Sequence, residues 1–299
     1  MTGGSWQTGP ELKPRRPRTP VADLFEQTFG LYRRNFVSMV LVTALFQGPL
    51  ILASLPLTVW QAQWSRQLST PASTAAVLDQ MGPYVASSVL TSLLALVLGS
   101  FGGAGVTYIA GRARSGDRAS IGEVLRAVRR LTPSIAGYIV LFIGGSLALG
   151  LAFVAVAFIA ALIGGLAGNV GLAIVVIVLL GLAVMITVVI TLARLALSLP
   201  ALVLERHRPM NALRRSWSLV AGWTWRTIGI LLLVGLVFGI IGLVVSPVNI
   251  PGVMAGYLEG SLGSYVVLAI VGGAIQIAVG PILPTLVTVL FFDYAAERP

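Results

Sequence analysis

Long apolar segments alternate with short polar segments along this chain, and six of the apolar segments are long enough to cross a membrane. A hydrocarbon core of about 30 Å needs about 20 helical residues. The segments are apolar on every side, whereas the strands of a membrane barrel alternate between apolar and polar residues, so we predict helices. The predicted transmembrane helices cover residues 35–59, 83–110, 134–163, 170–204, 223–248 and 262–292.

Polar segments that precede the first, third and fifth apolar segments have the period of an amphipathic helix. Residues 21–34, 119–132 and 209–222 each place apolar residues at spacings of three and four, opposite charged ones. We call them the elbow segments. Start signals accompany them, including a capping box at Ser120 and Glu123. One face of each is too polar to enter a membrane core, so we expect the elbows to lie at the cytoplasmic surface.

The two patterns together predict an all-α, polytopic membrane protein with three pseudo-repeats. Each repeat is a cytoplasmic interfacial helix followed by a transmembrane hairpin. Residues 20–292 are expected to form one six-helix domain, between a disordered cytoplasmic tail of residues 1–19 and a short cytoplasmic tail of residues 293–299. The predicted units are residues 20–110, 119–204 and 209–292.

Composition agrees with this prediction and adds an orientation. Hydrophobic residues make up 57% of the chain, charged residues 10%, and the mean hydropathy is +0.93. Lysine and arginine cluster before the first span and in residues 111–133 and 205–226, whereas the other connections carry one or none. This alternation follows the positive-inside rule, so both termini are predicted to be cytoplasmic. Arginine outnumbers lysine nineteen to one, which is typical of a high-GC bacterial genome and favours a bacterial plasma membrane.

We therefore expect the basic residues behind the formal net charge of +10 to contact anionic lipid headgroups and not nucleic acid. A protein partner is also compatible with these surfaces, but the sequence does not identify one. The side chains predicted to contact headgroups or the membrane interface are Arg126, Arg129, Arg130, Arg214, Arg215, Trp217, Trp223 and Trp225.

Apart from Arg226, which is the fourth residue of the fifth predicted span, Arg194 is the one basic residue inside a predicted span. An unpaired charge there costs at least about 2 kcal/mol, so it needs a partner or a function. Two interpretations stay open, namely a structural tie between helices and a contact with a substrate or a headgroup phosphate. The acidic residues predicted to reach it are Asp23, Glu26, Glu205 and Asp293.

Two glutamines could join Arg194 in a polar site within the membrane. Gln47 precedes Gly48 and Pro49, and Gln276 precedes Pro281, so both lie where a helix could break. Transporters bind substrates at such breaks. Prolines that only kink a helix are the other explanation.

Candidate enzyme chemistry is sparse. Glu205 and His207 are close in sequence, but the chain has a single histidine, no cysteine and no cluster of carboxylates beside them. We therefore predict no catalytic residue, no metal site and no cofactor.

Three short motifs are distributed along the chain after residue 20. They are Phe25-x3-Phe29-x-Leu31-Tyr32-Arg33-x-Asn35-Phe36, Arg194-x5-Pro200-Ala201-x-Val203-Leu204-Glu205, and Ala212-Leu213-x-Arg215-Ser216-Trp217-x-Leu219-x-x-Gly222-x-x-Trp225-Arg226. With them, the chain resembles a bacterial family of six-span proteins, the glycerophosphoryl diester phosphodiesterase membrane domain family. The resemblance implies an integral membrane module that some relatives fuse to a hydrolase domain with paired histidines and acids. No loop of this sequence supplies such residues, so the catalytic activity is not implied.

The sequence thus leads to two functional hypotheses. The first is a nonenzymatic scaffold or accessory module that contacts lipid headgroups or partner proteins at the cytoplasmic face. The alternative is a transporter or lipid-translocating protein with an intramembrane site near Arg194. A polar cavity that joins Arg194 to Gln47 or Gln276 would favour the alternative.

Overall fold

The computed structural model describes residues 19–68, 74–166, 170–245 and 262–297. These ranges contain ten helices and no strand, which confirms the all-α prediction. Apart from Thr19, the predicted N-terminal tail lies outside the described residues. The helices are α1 (Val21–Arg34), α2 (Phe36–Leu68), α3 (Thr74–Arg114), α4 (Ile121–Leu166), α5 (Val170–Leu195), α6 (Ser198–Leu204), α7 (Pro209–Val220), α8 (Thr224–Val245), α9 (Leu262–Val279) and α10 (Ile282–Glu297).

The apolar helices are those of a membrane-embedded protein. Within the described ranges, five segments are long and apolar enough to cross a membrane, or six if the bent pair α7–α8 counts as one. Each coincides with a predicted span. The five are Phe36–Leu57, Gly82–Arg114, Ile121–Leu162, Ile174–Leu204 and Ala269–Glu297.

The hydrophobic core lies at one end of the bundle. We call it the basic end, because it carries α1, the start of α4, α6 and α7 with their arginines. Three helices contact one another there, namely α3, α6 and α10, and each has an elbow segment packed on it: the start of α4 on α3, α7 on α6 and α1 on α10. The contacts are close, since a Cβ added to Gly105 of α3 would lie 2.6 Å from the Val42 Cγ1 atom and 3.3 Å from the Val124 Cγ1 atom.

The second elbow differs from the prediction because it is not a separate helix. The capping box is confirmed, with the Glu123 N–H 3.3 Å from the Ser120 Oγ atom and the Ser120 N–H 3.1 Å from a Glu123 carboxylate oxygen. From there α4 continues through Pro133 for 46 residues, or about 69 Å. The other two elbows end at residues that suit an interruption, Asn35 and Gly222, and Gly222 has a φ of +90°. No equivalent residue ends the second elbow.

Two spans are interrupted near the basic end in the same way. Ala196 and Leu197 separate α5 from α6, and Gly280 and Pro281 separate α9 from α10. Pro200 and Pro284 each lie four residues after the first residue of a break. In a continuous helix the proline ring would clash with the carbonyl of that first residue. Both continuing helices begin with the same pattern, Leu-Pro-x-Leu-Val, at residues 199–203 and 283–287. Leu199 and Pro284 both reach Gly103 of α3.

The third elbow and the C-terminal residues show two further details of the fold. The axes of α7 and α8 differ in direction by 102°, so the third elbow is a distinct helix that turns sharply into the following span. Residues 293–297, predicted as part of a tail, continue α10 as a helix.

Candidate functional site

A serine from the third elbow closes the break between α5 and α6. The Ser216 hydroxyl donates a 2.6 Å hydrogen bond to the Arg194 carbonyl oxygen and accepts a 3.1 Å hydrogen bond from the Leu197 N–H. Both backbone groups lie where the helical pattern stops, and buried groups of this kind are costly when unpaired. Ser216 is fully buried, so α7 holds the break through a contact that water does not reach.

The second break has an equivalent contact from the first elbow. The Tyr32 hydroxyl donates a hydrogen bond to the Ala278 carbonyl oxygen. Ala278 lies two residues before the Gly280–Pro281 break, and Arg194 lies two residues before the Ala196–Leu197 break. At both breaks an elbow hydroxyl donates a hydrogen bond to the carbonyl that lies two residues before the break. Arg194 has a charged side chain at this position, whereas Ala278 does not.

The Arg194 guanidinium stacks on the elbow helix. Its Cζ atom lies 4.6 Å from the centroid of the Trp217 ring, and its Nε atom is buried without a hydrogen-bond partner. A cation over an indole face gains about 0.5–2 kcal/mol but leaves the N–H groups unpaired. Arg194 therefore has a packing partner and an unmet need for an acceptor.

The four carboxylates predicted to pair with Arg194 do not do so in the structure. Glu205 pairs with Arg215 and His207, and Asp293 pairs with Arg226. Asp23 and Glu26 are exposed on α1, which packs against α10 and not against α5. The predictions relied on similar depth along the chain, and the lateral arrangement of the helices decides otherwise.

Glu205 closes the turn between α6 and α7. Its carboxylate accepts hydrogen bonds from the Arg215 Nε and Nη2 atoms at 3.3 Å, and its Oε2 atom lies 2.8 Å from the His207 Nε2 atom. Arg206 between them has a left-handed backbone with a φ of 53°. Glu205 and His207, the candidate acid and base, thus contact each other, and Glu205 also binds Arg215. This group fixes a strained turn.

A second ion pair, which the sequence did not predict, joins α8 to the last helix, and Thr19 of the N-terminal segment binds to both of its members. Arg226 Nη1 lies 3.4 Å from Asp293 Oδ2, and Arg226 also donates a 2.5 Å hydrogen bond to the Thr19 carbonyl oxygen. The Thr19 hydroxyl donates to the other Asp293 oxygen at 2.5 Å. Both charged side chains are less than one fifth exposed. The signal was the position of Asp293 directly after the predicted span 262–292.

An open cleft lies beside Arg194, where α5 meets the turn between α7 and α8. Its volume is about 210 Å³, and Ile190, Arg194, Gly222, Thr224 and Trp225 line it. No carboxylate is among the lining residues. Thr224 and Trp225 are the first residues of α8, whose initial N–H groups have no acceptor within the helix. The cleft therefore presents donors and positive charge beside the exposed indole of Trp225.

One family of known proteins matches nearly the whole chain. Residues 25–298 match the model of the family described as Domain of unknown function (DUF7847). The chain belongs to this family. No curated protein and no solved structure matches it.

In this DUF7847 chain, the residues predicted to face the membrane surface divide into two groups. Arg126, Arg129, Arg130, Arg214, Trp217 and Trp225 are exposed. Arg215 is engaged with Glu205, and Trp223 is partly buried with its ring stacked 5.9 Å from the Tyr294 ring. Arg215 lies on the side of the elbow that faces Glu205, and Trp223 lies in the turn between α7 and α8. The helical period alone does not reveal either direction.

Gln47 and Gln276 lie at the Gly280–Pro281 break, away from the cleft at Arg194. The Gly280 N–H donates a 2.7 Å hydrogen bond to the Gln276 carbonyl oxygen, and a Cβ on Gly280 would lie 3.7 Å from Gln47 Oε1. That oxygen is buried and has no hydrogen-bond partner. Neither glutamine lines the Arg194 cleft, so the three polar residues predicted to form one site occupy two places.

Proposed function

We propose that this chain is a nonenzymatic integral membrane module whose third elbow lies along the membrane surface and contacts lipid headgroups. The observation that carries the proposal is the division of α7 into three faces. Ala212, Ser216, Leu219 and Val220 are buried against the protein. A helix that met only protein and water would need two faces, one apolar and one polar.

The other two faces of α7 are both exposed but differ in chemistry. Met210 and Trp217 project large apolar side chains that the protein does not cover. Asn211, Arg214 and Ser218 form the polar face. A helix that lies flat in the interface needs one side for lipid and one for water, in addition to its contact with the bundle. The 102° turn into α8 is compatible with a flat α7 and a membrane-crossing α8.

We propose a bacterial plasma membrane as the location, with the basic end and both termini in the cytoplasm. The support is the alternation of basic and neutral connections along the chain. The exposed arginines of α4 and α7 would then face anionic headgroups or a partner protein. The engagement of Glu205 and His207 in the turn supports a nonenzymatic function.

We also propose that the fold is a pseudo-threefold repeat. Each elbow packs on the second span of the preceding unit, in the cyclic order α4 on α3, α7 on α6 and α1 on α10. The shared Leu-Pro-x-Leu-Val pattern after the two breaks supports the relation between the second and third units. We also retain as a proposal the resemblance of residues 25–36, 194–205 and 212–226 to the glycerophosphoryl diester phosphodiesterase membrane domain family.

Transport is the second candidate function, and the Gly280–Pro281 break favours it. A buried, unpartnered Gln47 oxygen beside an interrupted helix is a polar element of the kind that carriers use within the membrane. The separation of both glutamines from the Arg194 cleft supports the accessory-module proposal over this one.

The position of α7 can be tested with single-cysteine variants, because the chain contains no cysteine. Met210→Cys and Asn211→Cys introduce labels at neighbouring exposed positions on different faces. After spin labelling and reconstitution in vesicles, the label at 210 should collide mainly with oxygen, which dissolves in lipid. The label at 211 should collide mainly with a water-soluble nickel complex. Equal accessibility of the two labels to both reagents would contradict a surface position for α7.

A further inference from the structure

The Arg194 side chain is not needed for the break that it adjoins. Ala278 occupies the corresponding position before the second break, and its carbonyl accepts an elbow hydroxyl as the Arg194 carbonyl does. The hydrogen bond from the elbow to the break therefore involves the backbone carbonyl and not the side chain. The guanidinium is an addition that the architecture of the break does not require.

The surroundings of Arg194 leave this guanidinium short of an acceptor. It lies inside the Ile174–Leu204 span, where a charge is costly. Arg215 and Arg226 are neutralised by Glu205 and Asp293, whereas Arg194 has no ion pair among the residues that the structure describes. Its Nε atom is buried and unpaired. An anion in the cleft that Arg194 lines would supply the missing counter-charge.

The adjoining cleft is suited to an anionic group. Its lining offers the guanidinium and the beginning of α8, and it contains no carboxylate that would repel an anion or bind an ammonium group. The positive end of the α8 dipole adds to this preference. The remaining walls, Ile190 and Trp225, are apolar.

Exposed apolar faces continue from the cleft along both helices. On α8, Trp225 is followed at helical spacing by Gly229, Leu232 and Leu236, all exposed. On α5, Ala183 and Thr187 are exposed at helical spacing before the partly buried Ile190, and the Thr187 hydroxyl is bonded to the Ala183 carbonyl. A ligand with a phosphate at one end and a hydrocarbon chain at the other would fit a polar cleft that continues into an apolar surface.

We propose that the cleft binds the phosphate of an anionic phospholipid, with Arg194 as its principal ligand and Trp225 beside the glycerol and acyl region. This inference rests on the proposed contact of the basic end with lipid headgroups and specifies where one headgroup is held. The bound lipid neutralises Arg194 and connects α5 to the α7–α8 turn.

The test uses the full chain in nanodiscs of phosphatidylcholine with a minor fraction of phosphatidylglycerol. Native mass spectrometry then counts the phosphatidylglycerol molecules that stay bound. Wild-type protein should retain phosphatidylglycerol in preference to phosphatidylcholine. Arg194→Gln should weaken retention by about tenfold, the effect of losing one charge-assisted hydrogen bond. Arg194→Lys should restore part of it, because the positive charge returns without the planar donor set.

Two further variants keep the result interpretable. Trp225 is 78% exposed, so Trp225→Ala should preserve the fold and still lower retention if the indole covers the lipid. Arg118→Gln removes an exposed charge from the loop before α4 and should leave retention unchanged. Unchanged retention in Arg194→Gln and Trp225→Ala would overturn the proposal, as would an equal loss in Arg118→Gln.

A competition arm identifies the source of the phosphate. Inorganic phosphate should not displace the lipid, because it cannot use the apolar surface of the cleft. Displacement at equal concentration, or equal retention of phosphatidylcholine, would overturn the assignment to an anionic phospholipid. The spin labels on α7 give a separate result, so a failed lipid site with a correctly placed α7 would leave the proposed function intact.

Discussion

The two ends of the bundle differ in how much their helices depend on one another. At the basic end, α3, α6 and α10 enclose residues such as Leu202 and Tyr294 that are almost fully buried. Along the distal part of α4, Leu151, Val154 and Phe158 are each more than 60% exposed. The most apolar stretch of the Ile174–Leu204 span has no buried residue. A lipid tail is as apolar as a leucine, so the distal helices need no protein neighbour to stay in the membrane.

The difference arises from where polar groups enter the apolar region. Both described breaks and both partly buried ion pairs, Glu205–Arg215 and Arg226–Asp293, lie at the basic end. An interrupted backbone or a buried charge is costly in lipid unless other groups satisfy it. Specific packing is therefore concentrated at this end, where Ser216, Tyr32 and Thr19 meet those needs.

The largest expected difference between the two ends comes from truncating a leucine at each. Leu202→Ala leaves a cavity in the fully buried core of α6 and should lower the free energy of unfolding by about 4 kcal/mol. Leu151→Ala exchanges one lipid contact for another and should change it by less than about 0.5 kcal/mol. Denaturant unfolding in mixed micelles measures both. Similar losses for the two variants would remove the distinction between the ends.

An intermediate effect is expected from the Arg226–Asp293 ion pair, which joins α8 to α10. Asp293→Ala leaves Arg226 partly buried without its partner and should cost about 3 kcal/mol. Asp117→Ala removes a carboxylate from the Arg112–Asp117 pair, whose side chains are 43% and 56% exposed, and should cost less than about 1 kcal/mol. Thermal unfolding of both variants in the same detergent gives the comparison. A small loss for Asp293→Ala would mean that water reaches the basic end freely.

The hydrophobic pattern predicted the spans well, because the membrane requires every span to be both long and apolar. It also predicted the elbow periodicity and the capping box of Ser120 and Glu123, which are local features. The break at Ala196–Leu197 had a local signal in Pro200, but Pro133 has the same chemistry inside an uninterrupted α4. Whether a proline interrupts a helix depends on a group such as the Ser216 hydroxyl, which is distant in sequence.

The partners of Arg194 were unpredictable for a related reason. Depth along the membrane follows from residue number, and Glu205 and Asp293 do lie near the basic end. Lateral position depends on which helices are neighbours, and the sequence contains no local signal for that. Trp217 was recognised as an interface residue, but its position under the guanidinium follows only from the direction in which α7 packs on α6 and α5.

The smallest expected effect isolates the contact that unites an elbow with a break. Ser216→Ala leaves the Leu197 N–H and the Arg194 carbonyl without their side-chain partner, and two buried unpaired groups should cost about 1–2 kcal/mol. Ser218→Ala is the matched control on the same helix, because its hydroxyl bonds the Arg215 carbonyl at the exposed surface. Ser216→Ala should also speed backbone hydrogen exchange at Leu197 and Ser198, whereas Ser218→Ala should not. Equal exchange in the two variants would show that the α5–α6 break is held by the packing of Leu199 and Pro200, so that α7 only covers a break that is stable without it.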